Sequence, residues 1–196
     1  MPVTQKRKEK IRQVIENRQK GLVIVLEDIH DPHNAAAVLR SADAFGVQEV
    51  CFIFDQEKPY NPKRVGKKTS SSANKWLDFH IFRSIKECVK YLKRRKYKIY
   101  ASVVDDKVNS IYRTDFTKYV NIALLFGNEH RGLSQEAVDL ADYRVYIPMK
   151  GMVESLNISV TCGIFLYEVS RQRKYSLKYS LSKSAKEKLY RDFCRR

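Results

Sequence analysis

Two short segments carry nothing but apolar side chains: LVIVL at 22–26 and IALLF at 122–126. A strand that is apolar on both faces has to be covered on both, which is the situation of an interior strand in a parallel sheet. Further strands are expected at 49–54, 79–82, 97–104 and 145–147. Helix-type segments alternate with them. Ser84-x-x-Glu87 forms a capping box, and Ile85, Cys88, Val89 and Leu92 then recur at helical spacing. Residues 5–20 read as a helix ended by Gly21. Asn34 is placed to cap a helix running to about 45, Ser134 a short one to 141, and Asn157 an apolar one to about 173. A last short helix is expected over 185–193. Residues 55–75, rich in Lys, Pro, Ser and Asn, read as a long loop with one helical turn at most. This alternation predicts an α/β fold, a parallel sheet flanked by helices. The ligand site of such a sheet lies beyond the carboxyl ends of its strands. Three polar or Gly-bearing segments fall there: 28–34, 127–132 and 148–157.

Charge is distributed unevenly along the 196 residues. The net charge is +16. Residues 1–20 hold seven basic and two acidic side chains, and 171–196 hold ten and two, so most of the excess lies at the two ends. Five basic residues also cluster over 58–68 and eight over 83–98. Any one cluster is equally well a solvated helix face. Both ends together point to a polyanion, since counterion release rewards many phosphate contacts at once. Nucleic acid is the simplest such partner, and an anionic membrane surface is the other. No run of 18 apolar residues is present, so no transmembrane helix is expected. The charged N-terminus is not a secretory signal, so a cytoplasmic location is expected. Four well-separated cysteines without a CxxC pair argue against a zinc ribbon or a disulfide scaffold.

Several familiar chemistries are excluded by their motifs. The first strand-to-helix turn, DIHDPHNAAAVLR, has no glycine and so no dinucleotide fingerprint. Gly127 and Gly132 have the spacing of a phosphate loop but continue Leu133-Ser134 in place of Lys-Ser/Thr. No GxSxG elbow occurs, and the four histidines form no HxxxH or HExxH, so no metal is expected.

Three segments, taken in order, resemble the TrmH family of RNA ribose 2′-O-methyltransferases within the SPOUT superfamily. They are NAAAVLR at 34–40, LLFGNEHRGLS at 124–134 and IPMKGMVESLNISV at 147–160. The basic N-terminal segment, SSANKW at 71–76 and the Arg171-Gln172-Arg173 exit resemble the tRNA (guanosine-2′-O-)methyltransferases, which act on the D-loop guanosine numbered 18. Glu154 departs from the pattern, where Gln is usual. The resemblance implies S-adenosyl-L-methionine as methyl donor, tRNA as substrate and a homodimer whose sites are completed across the interface. It also implies a C-terminal deep trefoil knot in which the loops 127–132 and 147–157 cradle the donor. Division into a basic N-terminal extension (1–20), a methyltransferase domain (21–173) and a basic C-terminal extension (174–196) follows. The same chemistry on ribosomal RNA, and a non-catalytic RNA-binding protein, are the alternatives.

By the resemblance, Arg40, Asn34, Glu129, Ser155 and Asn157 are catalytic, and Ser102, Gly127, Ile147 and Leu156 bind the cofactor. Each has a plainer reading. Asn34 and Asn157 serve as helix caps, Arg40 as a surface arginine, Glu129 as a solvated loop carboxylate and Ser155 as a turn residue. Arg40 is either the base for the ribose hydroxyl or a stabiliser of the developing alkoxide while an RNA phosphate takes the proton, and the second suits a guanidinium that stays protonated. Tyr100, Tyr112, Tyr119, Tyr143 and Tyr146 either stack on bases or sit half-buried in the sheet.

Overall fold

The computed structural model describes residues 4–65 and 73–196. Seven strands form one all-parallel sheet: β1 (Leu22–Glu27), β2 (Glu49–Ile53), β3 (Asp78–Phe82), β4 (Lys98–Ser102), β5 (Asn109–Ser110), β6 (Ile122–Phe126) and β7 (Tyr143–Tyr146). Their order is β3-β2-β1-β6-β4-β7-β5. The two all-apolar segments are therefore neighbours at the centre, in register Leu22 to Ile122 through Leu26 to Phe126. The helices are α1 (Gln5–Glu16), α2 (Pro32–Ala44), α3 (Ile85–Arg94), α4 (Gln135–Leu140), α5 (Ile158–Arg173) and α6 (Lys183–Phe193).

The strand pleat sorts β1 between two cores. Leu22, Ile24 and Leu26 pack with Ala36, Leu39, Phe165 and Leu166 of α2 and α5 on one face. Val23 and Val25 pack with Cys88, Val89 and Leu92 of α3 on the other. The expected covering of both faces is thus realised. Ser84 caps α3 as its spacing predicts, accepting from the Glu87 N–H at 3.3 Å. Asn157 caps α5.

Three expectations are corrected. Asn34 is not the cap of α2: Asp31 is, with its Oδ1 accepting from the His33 N–H at 2.8 Å and Pro32 opening the helix. Proline suits a first-turn position because it has no N–H to leave unpaired, and the shift frees the Asn34 amide for other partners. Helix α1 stops at Glu16 and does not reach 20. Arg18 turns inward at 2% exposure, pairs with Asp43 at 2.5 Å and donates to the Val47 carbonyl at 2.6 Å. A guanidinium with those partners cannot lie on the solvent side of a continuing helix. The 145–147 strand starts two residues earlier, at Tyr143, and the two-residue edge strand β5 beside it went unpredicted.

The two basic ends fold onto each other. Ile11 and Ile15 of α1 enclose a third small core with Phe193 of α6, and the Trp76 ring packs tilted against Phe193 with centroids 5.0 Å apart. Ser71 and Ser72 of the 71–76 segment lie outside the described residues. The exit of α5 is a staple. Gln172 exchanges hydrogen bonds with Phe116 N and Thr114 O. Arg173, 4% exposed, donates to the carbonyls of Phe116, Tyr119 and Val120. Burial pushes its guanidinium pKa down to about 10. Of that motif only Arg171 is exposed, paired with Glu168. Tyr100 is fully buried and Tyr112 exposed, while the hydroxyls of Tyr119 and Tyr143 meet at 2.8 Å. No described helix is long and apolar enough to cross a membrane.

Candidate active site

The carboxyl edge of the sheet begins with two adjacent acids, Glu27 at the end of β1 and Asp28 just after it. Glu27, buried, accepts from the Ser134 N–H at 2.9 Å and its hydroxyl at 2.7 Å, which ties the start of α4 to β1. Desolvation pushes the Glu27 pKa up, and the two Ser134 bonds oppose it. Asp28 adopts φ +50° and gathers the N–H groups of Asp55, Gln56 and Glu57 at 2.8–3.2 Å. Its carbonyl accepts from the Asn128 side chain at 2.7 Å. The 127–132 turn closes through paired bonds between Asn128 and Gly132. A Cβ at Gly127 would sit 2.3 Å from the Gly132 backbone, so only glycine allows this closure.

These ties join the first two predicted segments, and a bond from Asn157 to Asn34 brings in the third. The segments line one pocket of about 650 Å³ with His30, Asp31, Pro32, Asn34, Glu129, His130, Ser155, Leu156, Asn157 and Ile158. Through its lining residues runs a directed chain of hydrogen bonds that starts at Ser159. The Ser159 hydroxyl donates to Asn157 Oδ1 at 2.6 Å, Asn157 Nδ2 to Asn34 Oδ1 at 3.0 Å, and Asn34 Nδ2 to Glu129 Oε1 at 3.0 Å. An ionised carboxylate only accepts, so Glu129 sets the orientation of both amides. It also accepts from the backbone N–H groups of His30 at 3.0 Å and Asp31 at 3.2 Å. Four residues from three distant segments are thus locked into one arrangement. Ser155 lines the same pocket with its hydroxyl uncommitted among the described residues.

Residues 21–167 match the SpoU rRNA methylase family. The chain belongs to that family. It is 37% identical to a tRNA (guanosine(18)-2′-O)-methyltransferase of Thermus thermophilus, over 87% of this chain and 84% of that one. In structure it resembles the TrmH/SpoU tRNA modifying enzyme of A. aeolicus, with a TM-score of 0.86, 31% identity, and 97% and 95% of the two chains covered. It also resembles the SpoU methyltransferase AviRb of Streptomyces viridochromogenes in complex with AdoMet, with a TM-score of 0.69, 29% identity, and 84% and 62% covered.

In this family member the expected site residues fall into three sets. Asn34, Glu129, Ser155, Asn157 and Leu156 share the pocket. Ser102, Gly127 and Ile147 do not line it. They stand at the carboxyl ends of β4, β6 and β7, three hydrogen-bonded neighbours, on the same edge of the sheet. With Leu156, this second set offers a hydroxyl, main-chain groups and two half-buried apolar side chains. That is a donor set suited to a nucleoside, whose ring faces are apolar and whose edges hydrogen-bond. Arg40 stands apart. It lies about 9 Å along α2 from Asn34, is exposed and has no partner among the described residues. It is absent from the pocket lining. Motif spacing did not single out Glu27, Asp28, His30, Glu57 or Asn128. The one available signal was the acidic pair Glu27-Asp28 ending an apolar segment, a place where a carboxylate needs a donor.

Proposed function

We propose that this protein transfers a methyl group from S-adenosylmethionine to the ribose 2′-hydroxyl of a tRNA guanosine, the D-loop guanosine numbered 18. The observation that carries this reading is the convergence of Asn34, Glu129, Ser155 and Asn157 on one pocket beside a nucleoside-type edge, in a chain whose relatives are named for that reaction. S-adenosylmethionine supplies a methyl on a positively charged sulfur. Ser102, Gly127, Ile147 and Leu156 hold its adenosine part. Asn34 and Asn157, oriented by Glu129, position the ribose with Ser155. Arg40 acts on the ribose oxygen from a second copy of the chain in a homodimer. Two features support that: its exposed position outside its own chain's pocket, and the uncovered apolar residues Val160 and Tyr167, one face of α5, at 49% and 61% exposure. The deep trefoil knot belongs to the same reading, supported by the crowding of loops 127–132 and 148–157 at one sheet edge. Residues 21–173 form the methyltransferase unit, with 1–20 and 174–196 as basic extensions, and the protein works in the cytoplasm. The deciding experiment is ribose-methylation mapping of tRNA and ribosomal RNA incubated with purified protein and labelled S-adenosylmethionine. Methyl transfer to ribosomal RNA alone, or to neither, would overturn the reading.

Two expectations arise from this arrangement. Leu156→Arg places a charge at the nucleoside-type edge and is expected to weaken S-adenosylmethionine binding at least tenfold, the effect of stranding one poorly paired polar group. Calorimetry showing wild-type affinity would contradict the pocket assignment. The second concerns RNA capture. Lys6, Lys8, Lys183 and Lys188 are exposed on α1 and α6. Changing all four to Gln keeps the third core and removes only charge. The slope of log tRNA affinity against log salt is expected to flatten by roughly 0.7–0.9 for each phosphate that these lysines neutralise in the wild type. An unchanged slope would place the RNA surface elsewhere.

A further inference from the structure

The ribose hydroxyl has to lose a proton, and the residues already assigned offer no acceptor for it. Arg40 is a guanidinium, and Asn34, Asn157 and Ser155 are neutral. Four titratable side chains line the pocket: His30, Asp31, Glu129 and His130. Glu129 is committed to three donors, and Asp31 caps α2. The two imidazoles remain, and only one of them is oriented. His30 Nδ1 lies 2.9 Å from Glu57 Oε2. Glu57 is itself held on both sides: Asp28 grips its backbone N–H at 3.2 Å, and Arg131 donates to its other carboxylate oxygen at 2.9 Å. The Nε2 of His30 has no partner among the described residues. His130, 6.0 Å away ring to ring, has no such carboxylate among the described residues.

On the reading given under Proposed function, we infer that His30, oriented by Glu57, is the general base that accepts the ribose 2′-hydroxyl proton. The O–H bond breaks and its proton passes to His30 Nε2. The oxygen's electron pair forms the new O–CH3 bond as the C–S bond of the sulfonium breaks and its pair stays on sulfur. The neutral imidazole becomes imidazolium, and the donor becomes a neutral thioether, so charge balances. An imidazole whose Nδ1–H is fixed by a carboxylate presents Nε2 as the acceptor, the arrangement of an oriented base. A bland alternative makes the His30–Glu57 pair a surface tie between two loops. Asp28 and Asn128 already make that tie, and the His30 ring that Glu57 holds lines the pocket.

The groups facing His30 are Glu57 and Glu129, which favour its protonated form, Arg131, which opposes it, and the His130 ring 6.0 Å away. Of these, the Glu57 hydrogen bond is the largest influence, and it raises the His30 pKa. The base works only when neutral. Turnover is therefore expected to rise with pH through the His30 pKa, and the limb to move to lower pH when Glu57 is neutralised. The His30 side chain is 61% exposed, and its structural bond to Glu129 runs through the backbone, so His30→Gln keeps the fold.

The test measures methyl transfer from labelled S-adenosylmethionine to a tRNA transcript across the range in which imidazole titrates. His30→Gln is expected to lower kcat by about 10²-fold or more, with little change in tRNA KM, and to abolish the acidic limb. Glu57→Gln is expected to keep the limb and shift it to lower pH. Imidazole NMR of the free protein provides a readout without turnover, in which the His30 resonance titrates at lower pH in Glu57→Gln than in the wild type. Wild-type turnover with an unaltered limb in His30→Gln overturns the proposal alone, as does an unmoved His30 titration in Glu57→Gln. No methyl transfer to tRNA by the wild type overturns the underlying reading, and the proposal with it.

Discussion

Arg40→Ala is expected to lose about 10²- to 10³-fold in kcat, the scale of one preorganised donor removed from a developing oxyanion. Thermal stability and S-adenosylmethionine affinity should stay at wild-type values. The reason lies in its surroundings: the side chain is exposed on α2 and makes no hydrogen bond or ion pair with described residues, so nothing in the fold is left unpaired. The same position gives a sharper test. If each site takes Arg40 from one subunit and the nucleoside edge from the other, mixing Arg40→Ala with Leu156→Arg subunits regenerates one intact site per mixed dimer. Turnover in the mixture well above either parent is the expected result. Near wild-type turnover in Arg40→Ala alone would remove Arg40 from the chemistry. A dead mixture would place Arg40 and Leu156 in the same subunit's site.

Glu129→Ala is expected to damage both fold and function. The carboxylate accepts from His30 N, Asp31 N and Asn34 Nδ2. Its removal leaves three donors without their partner at the junction of β1, α2 and the 127–132 turn. One such group left partly buried costs about 1–3 kcal/mol, and partial exposure of this site holds the total near that range. Turnover is expected to fall by about 10²-fold, because Asn34 and Asn157 lose the group that orients them and small misplacements at a reacting centre have effects of that size. Glu129→Gln separates the two effects. Its amide oxygen still accepts, while its NH2 faces a donor, so stability should recover more than activity. Wild-type melting and turnover in Glu129→Ala would show that the hydrogen-bond chain is dispensable.

Much of the fold was legible because it rests on local rules. The all-apolar 22–26 and 122–126 segments require burial on both faces, and that requirement places them at the centre of a parallel sheet. Ser84, Ser134 and Asn157 cap helices because their short polar side chains reach the free N–H groups of a first turn. The site's location at the carboxyl edge also follows from the strand–helix alternation, and so do the three segments that line it.

What sequence order cannot carry is which distant groups meet. Asn34 reads as a cap until Asp31 takes that role three residues earlier, and the amide then turns to Glu129 and Asn157, both more than 90 residues away in the chain. His30 and Glu57 do not stand out along the chain, since neither belongs to a spaced motif. They become a pair because Asp28 folds the 55–57 segment back over the end of β1. Arg18 and Arg173 count in the sequence as members of basic ends, yet both are buried and bonded to backbone carbonyls, and Arg18 to Asp43 as well. Burial of an arginine is decided by whether enough acceptors converge on its donors, and that convergence exists only once the sheet has brought the loops at its amino edge and the ends of its helices into contact.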